Sequence, residues 1–102
     1  MASRLKLHEE LCALLGSRNV YFQPPESLKL RYPCIVYALS GVDKNNANNR
    51  AYITDKRYEL TIIDYDPDSE LSDKILEYFP KSSFDRPFVS DNLNHWVITL
   101  YY

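Results

Sequence analysis

Glycine is nearly missing from this chain: Gly16 and Gly41 are the only two in 102 residues. Loops that cradle phosphates need closely spaced glycines, so a P-loop or a dinucleotide-binding turn is excluded. Cysteine is scarce too. Cys12 and Cys34 form no Cys-x-x-Cys unit, and no paired Cys/His spacing suits zinc. Both thiols are expected to be buried and free. No apolar run reaches the ~18 residues of a membrane span, so no membrane partner is expected. A basic excess is also missing: the formal net charge is -2, which argues against specific nucleic-acid binding. Met1-Ala2-Ser3-Arg4 leads into an amphipathic segment and not into the apolar core of a signal peptide. Folding in a reducing cytoplasm is the expectation.

What is present is an ordinary globular balance, 45% apolar and 25% charged, enough to build one core in one domain. The nine tyrosines suit half-buried strands and protein interfaces, because each joins an apolar ring to a polar tip. Leu7, Leu11, Leu14 and Leu15 form one helical stripe. Ser3 is placed to cap that helix and Gly16 to end it. Val20-Tyr21-Phe22 is a short extended segment, stopped by Pro24-Pro25. Tyr32 to Leu39 reads as a central strand, with Pro33 at its start. Ala51 to Asp64 reads as a long strand, with Tyr52, Tyr58, Leu60 and Ile62 on one parity. A second helix carries Leu71, Ile75, Leu76 and Phe79, with Asp68 or Ser69 as its N-cap and Pro80 as its stop. Phe84 to Ser90 is a strand whose Pro87 demands an edge or a bulge. Asp91-Asn92 predicts a tight turn into a last strand that runs to Tyr101 and Tyr102. The predicted order is α-β-β-β-α-β-β: an α+β fold, a mostly antiparallel sheet with two helices on one face.

Between the strands lies Ser40 to Arg50, a polar stretch without apolar periodicity. It reads as a long hairpin loop, flexible over 41–50 and of a length at which loops tend to carry function. Asp43, Lys44, Asn45, Asn46, Asn48, Asn49 and Arg50 are its candidate partner-binding residues. Asn side chains both donate and accept, which suits a segment that orders on a partner. Tyr101 and Tyr102 are a second candidate interface.

Catalytic chemistry finds little support. Asp64-x-Asp66-x-Asp68 could ligate a hard cation, but an EF-hand loop would need Gly and Glu where Ser69 and Ile75 stand. Acids at a strand end leading into a helix N-terminus also suit the helix dipole. His95, with Asp85 or Asp91, is the start of a general base, yet no nucleophile is marked beside it. The expectation is no enzyme, no cofactor, no metal and no catalytic residues. Two alternatives remain: a small metal-dependent hydrolase using Asp64, Asp66, Asp68 and His95, and a monomeric adaptor that binds a peptide along a sheet edge.

Val20-Tyr21-Phe22-Gln23-Pro24-Pro25, Tyr32-Pro33-Cys34-Ile35-Val36-Tyr37, Tyr58 to Asp64, Phe84-Asp85-Arg86 and Asp91-Asn92-Leu93-Asn94-His95 follow one another in this order. In this the chain resembles the tail-terminator (tail-completion, head–tail joining) proteins of tailed bacteriophages and prophages, over nearly its whole length. The resemblance implies an α+β structural subunit of the virion tail, assembled in the host cytoplasm. It implies a ring, usually a hexamer, at the head-proximal end of the tail tube, which ends tube polymerisation. The implied partners are other copies of the chain, the tail tube protein and the head-completion or connector protein.

Overall fold

A computed structural model describes residues 3–47 and 50–102, and between 45 and 54 it describes the backbone. The elements are α1 (Arg4–Leu15), β1 (Val20–Phe22), β2 (Cys34–Ala47), β3 (Arg50–Asp64), α2 (Leu71–Tyr78), β4 (Ser82–Ser90) and β5 (Leu93–Tyr101). They form one sheet of order β1-β2-β3-β5-β4. Every pairing is antiparallel except β1 with β2, which is parallel. The α+β architecture expected from sequence is therefore present.

Local chemistry sets the boundaries. Ser3 Oγ accepts from the Leu5 and Lys6 amides, and Gly16 closes α1 in the left-handed region at φ 82. Only glycine takes that conformation without strain. Asp91 and Asn92 sit at φ 53 and 61, the two-residue turn that matches strand twist. α2 departs from expectation at its start. Its N-cap position is Glu70, with no capping side chain; of the predicted caps, Ser69 Oγ accepts from the Leu71 amide at 3.4 Å, while the carboxylates of Asp64 and Asp66 are used one turn earlier. Asp66 N–H donates to Asp64 Oδ1 and Asp68 N–H to Asp66 Oδ1, at 3.2 and 2.9 Å. These are Asx turns, a local alternative to helix.

Alternation sorts the side chains. Ile35, Tyr37, Tyr58, Leu60, Ile62, Ile98 and Leu100 lie on the face covered by the helices and pack with Leu7, Leu11 and Ile75. On the far face, Cys34, Ile63 and Leu93 form a smaller cluster under Leu30 and Tyr32 of the connector. So the start of β2 is covered on both faces, as its continuous apolar run requires. Both cysteines are free and buried, and burial pushes the Cys34 thiol up to about 12.

The segment 41–50 is the main correction. It is not a long loop. β2 continues to Ala47 and β3 begins at Arg50, with register pairs from Gly41↔Arg57 to Ala47↔Arg50. Asn48 and Asn49 lie outside the described residues. The ladder survives its poor strand formers because the partner strand supplies good ones, Tyr52 and Ile53. Irregularities at Leu39/Gly41 and Asp43/Lys44 absorb the misfit as bulges.

Gly41 has a specific reason. Arg57 folds across it and donates from Nη2 to the Ser40 carbonyl at 3.1 Å. A Cβ on residue 41 would stand 2.5 Å from that guanidinium. Gly41→Ala should therefore displace Arg57 and cost about 1 kcal/mol, one hydrogen bond's worth. Urea midpoints check this: the cost should vanish in an Arg57→Ala background.

Candidate assembly surfaces

β5 pairs with β3 only from Asp64 back to Arg57, and β1 reaches only Tyr37 of β2. Beyond these points β2 and β3 continue alone. The result is a two-stranded arm that leaves the sheet, in a molecule of 51 × 29 × 23 Å. The candidate residues Asp43, Lys44, Asn45, Asn46 and Arg50 are on its paired strands. The bulge at Ser40 places exposed Leu39 and Val42 on the same side of β2, the helix side, opposite Tyr58 and Lys56.

At the root of the arm, the Tyr37 hydroxyl accepts from Arg4 Nη1 at 3.1 Å and lies 2.8 Å from His8 Nδ1. Both contacts are satisfied if the hydroxyl donates to a neutral His8. Burial, then the charges of Arg4 and Arg18, lower the His8 pKa. The unfolded chain therefore binds the proton more tightly, and stability falls as pH drops below about 6.5. Glu9, held below its usual range by its hydrogen bond to Arg18, acts only in the carboxylate range, at lower pH. Melting followed from pH 7.5 to 5.5 should show a fall that His8→Gln flattens.

Tyr101 and Tyr102 stand beside this root. They line a groove of about 470 Å³ with Lys6, Glu10, Asp55, Tyr78, Phe79, Pro80 and Lys81. Glu10 accepts from the Tyr102 hydroxyl at 2.6 Å and from the Tyr78 hydroxyl at 3.2 Å. Burial, then that bond, push Tyr102 up to about 12. Lys81 pairs with Asp55 at 3.1 Å. The groove's polar groups are thus largely engaged with one another, and Tyr102 ties the end of the sheet to α1.

The opposite side of the sheet was not foreseen. β4 is an edge strand whose residues from Ser83 onward are exposed, including Phe84, Phe88 and Val89. Its irregularity at Asp85 and its edge position match what Pro87 demands. Counting from the Ser90↔Leu93 pair that closes the turn, the backbone of Val89 and Pro87 faces outward. Proline offers no N–H there, so this edge is interrupted against strand addition. The other edge, β1, has three residues and runs into Pro24-Pro25. Within the five-stranded part of the sheet, an adaptor that adds a peptide strand thus has no long uninterrupted edge to use; the open edges are those of the arm.

What β4 does offer is a face. The bulge keeps Phe84, Pro87 and Val89 on the helix side, beside Ile98, Trp96 and Asn94. α2 spans only eight residues and leaves them uncovered. Ser72, Asp73, Leu76, Phe84 and Trp96 line one cavity of about 250 Å³. Pro67, Pro87, Val89, Asn94 and Trp96 line another, of about 230 Å³, together with Phe88 and His95. Trp96 is a wall of both, so they lie side by side along one largely apolar face.

The hydrolase residues do not meet. His95 pairs with Ile63 on the far face, whereas Asp64 pairs with Asn94 on the helix side. His95 stacks on Phe88 at 4.3 Å and holds the Leu93 carbonyl at 3.1 Å. Among the described residues no group of three His, Cys, Asp or Glu side chains is placed to hold a metal. No helix among them is long and apolar enough to cross a membrane.

Comparison with models of protein families found no match to this chain, and comparison with curated proteins found none.

Proposed function

We propose that this chain is a structural subunit that assembles head-to-tail into a ring, usually a hexamer, at the head-proximal end of a phage tail tube. There it ends tube polymerisation and presents a surface to the head-completion protein. The chain would act in the virion tail, after assembly in the host cytoplasm. The observation that carries this reading is the two-stranded arm. A ribbon with no third strand is marginal alone, so a partner surface is the natural support for its outer part. A ring needs one patch of each copy to meet a different patch of the next. The arm and the uncovered face of β4 are two such unlike patches, on different sides of one subunit. The resemblance to tail terminators supplies the biological setting, and the geometry agrees with it.

The test is electron microscopy of the purified protein over a concentration series, with and without its tail tubes. Uniform rings, free or seated on tube ends, are expected. Lys44→Ala with Arg50→Ala should leave the fold intact and reduce ring formation. Normal rings and normal tube completion by that double variant would count against the arm's part in assembly.

A further inference from the structure

We propose that the groove over β4 and α2 seats the hairpin arm of a second copy of this chain. This rests on the ring reading above and names the surfaces that meet.

Charge is the first argument. The groove is apolar along its floor, from Phe84 through Trp96 to Pro87 and Val89. Its rim is acidic. From Asp64 to Asp73 the chain carries Asp64, Asp66, Asp68, Glu70 and Asp73, with no Lys or Arg. Asp73 lines the groove itself, and Pro67, between Asp66 and Asp68, lines its other half. Arg86, the single cation of β4, points to the far face with Val97. The arm has the reverse character. Lys44, Arg50, Lys56 and Arg57 outnumber Asp43 and Asp55, and Asp55 is ion-paired to Lys81. On the arm's helix side, exposed Val42 stands opposite Lys56. An apolar residue flanked by lysines fits an apolar floor that carries Asp73 and is bordered by an acidic segment. Complementary charge of this kind steers association and fixes orientation.

Distance is the second argument. The acidic turn and the arm stand at opposite ends of β3. Its 15 residues, at about 3.3 Å each, span about 50 Å. A rigid strand cannot bring its own two ends together, so only another copy's arm can reach the groove. The contact is heterologous, and repetition of it yields a ring or a filament according to the rotation per step.

The test uses two charge-reversed full-length chains and sedimentation velocity. One carries Lys44→Glu and Lys56→Glu; the other carries Asp68→Lys and Asp73→Lys. All four side chains are on the surface or half-buried, and circular dichroism confirms that each variant folds. Each variant alone sets like charge against like and should associate at least tenfold more weakly than wild type. Mixed in equal amounts, they should associate again, because each arm now meets a groove of opposite sign. Wild-type assembly should also weaken with added salt. Wild-type rings that both reversals leave unchanged, or a mixture that stays dissociated, would overturn this contact while leaving the ring reading in place. A wild-type chain that neither self-associates nor seats on tail tubes would overturn both.

Discussion

Replacing Tyr37 by Ala should lower the melting temperature by at least about 12 °C. Tyr37 is 1% exposed and sits where β2, α1 and β1 converge. Its ring lies 4.9 Å from Phe22 and 6.0 Å from Tyr58, centre to centre. Removing a buried aromatic ring costs about 3–5 kcal/mol, and in a domain of this size each kcal/mol is worth about 4–8 °C. That is a large part of a typical stability of about 5–15 kcal/mol. Tyr37→Phe separates the ring from the hydroxyl. It keeps the ring and strands His8 and Arg4, so it should cost about 1–3 kcal/mol. If Phe proved as damaging as Ala, the hydroxyl network and not ring packing would be what holds this corner.

Shortening the arm should do the opposite: abolish assembly and leave the fold alone. The change joins Val42 to Lys56 through Asn-Gly, a turn suited to a two-residue hairpin. The main buried core lies in α1, α2, β1, β2 up to Tyr37, β3 from Tyr58 and β5, and the cut leaves all of it in place. The melting temperature should stay within about 4 °C of wild type, the equivalent of under 1 kcal/mol. Ring formation should fall below detection, because each copy loses the element proposed to reach its neighbour. A shortened chain that unfolds would instead show the arm to be part of the fold. The Asp55–Lys81 pair is deleted in this variant, but an exposed ion pair is worth little.

The two variants mark off what could be read in the residues from what could not. Ser3 and Gly16 gave both ends of α1, Asp91-Asn92 gave the hairpin, and Pro87 gave the edge and the bulge. Each of these acts through its own backbone, so local chemistry is sufficient. The arm could not be read that way. Gly41 and the asparagines favour loops by themselves, and only the facing strand and the Arg57 brace keep them in register. The α2 start falls one or two residues after the expected caps, Asp68 and Ser69: Ser69 Oγ still reaches the Leu71 amide, but Asp64 and Asp66 hold the preceding amides in Asx turns, so the helix begins only after Glu70. Tyr101 and Tyr102 are beside the arm's root, with Tyr102 held by Glu10, so their place is nearer the core than a free edge. The β4 groove is a property of packing. It exists because α2 stops after two turns, leaving Phe84 exposed and Trp96 only half-buried, and no residue in β4 announces that.

Native mass spectrometry of the full-length chain, alone and after release from tail tubes, tests the central claim most directly. A heterologous contact that closes gives one discrete assembly, with a hexamer expected and few intermediates. Monomer under both conditions, or an unbroken ladder of sizes from a contact that never closes, would contradict it.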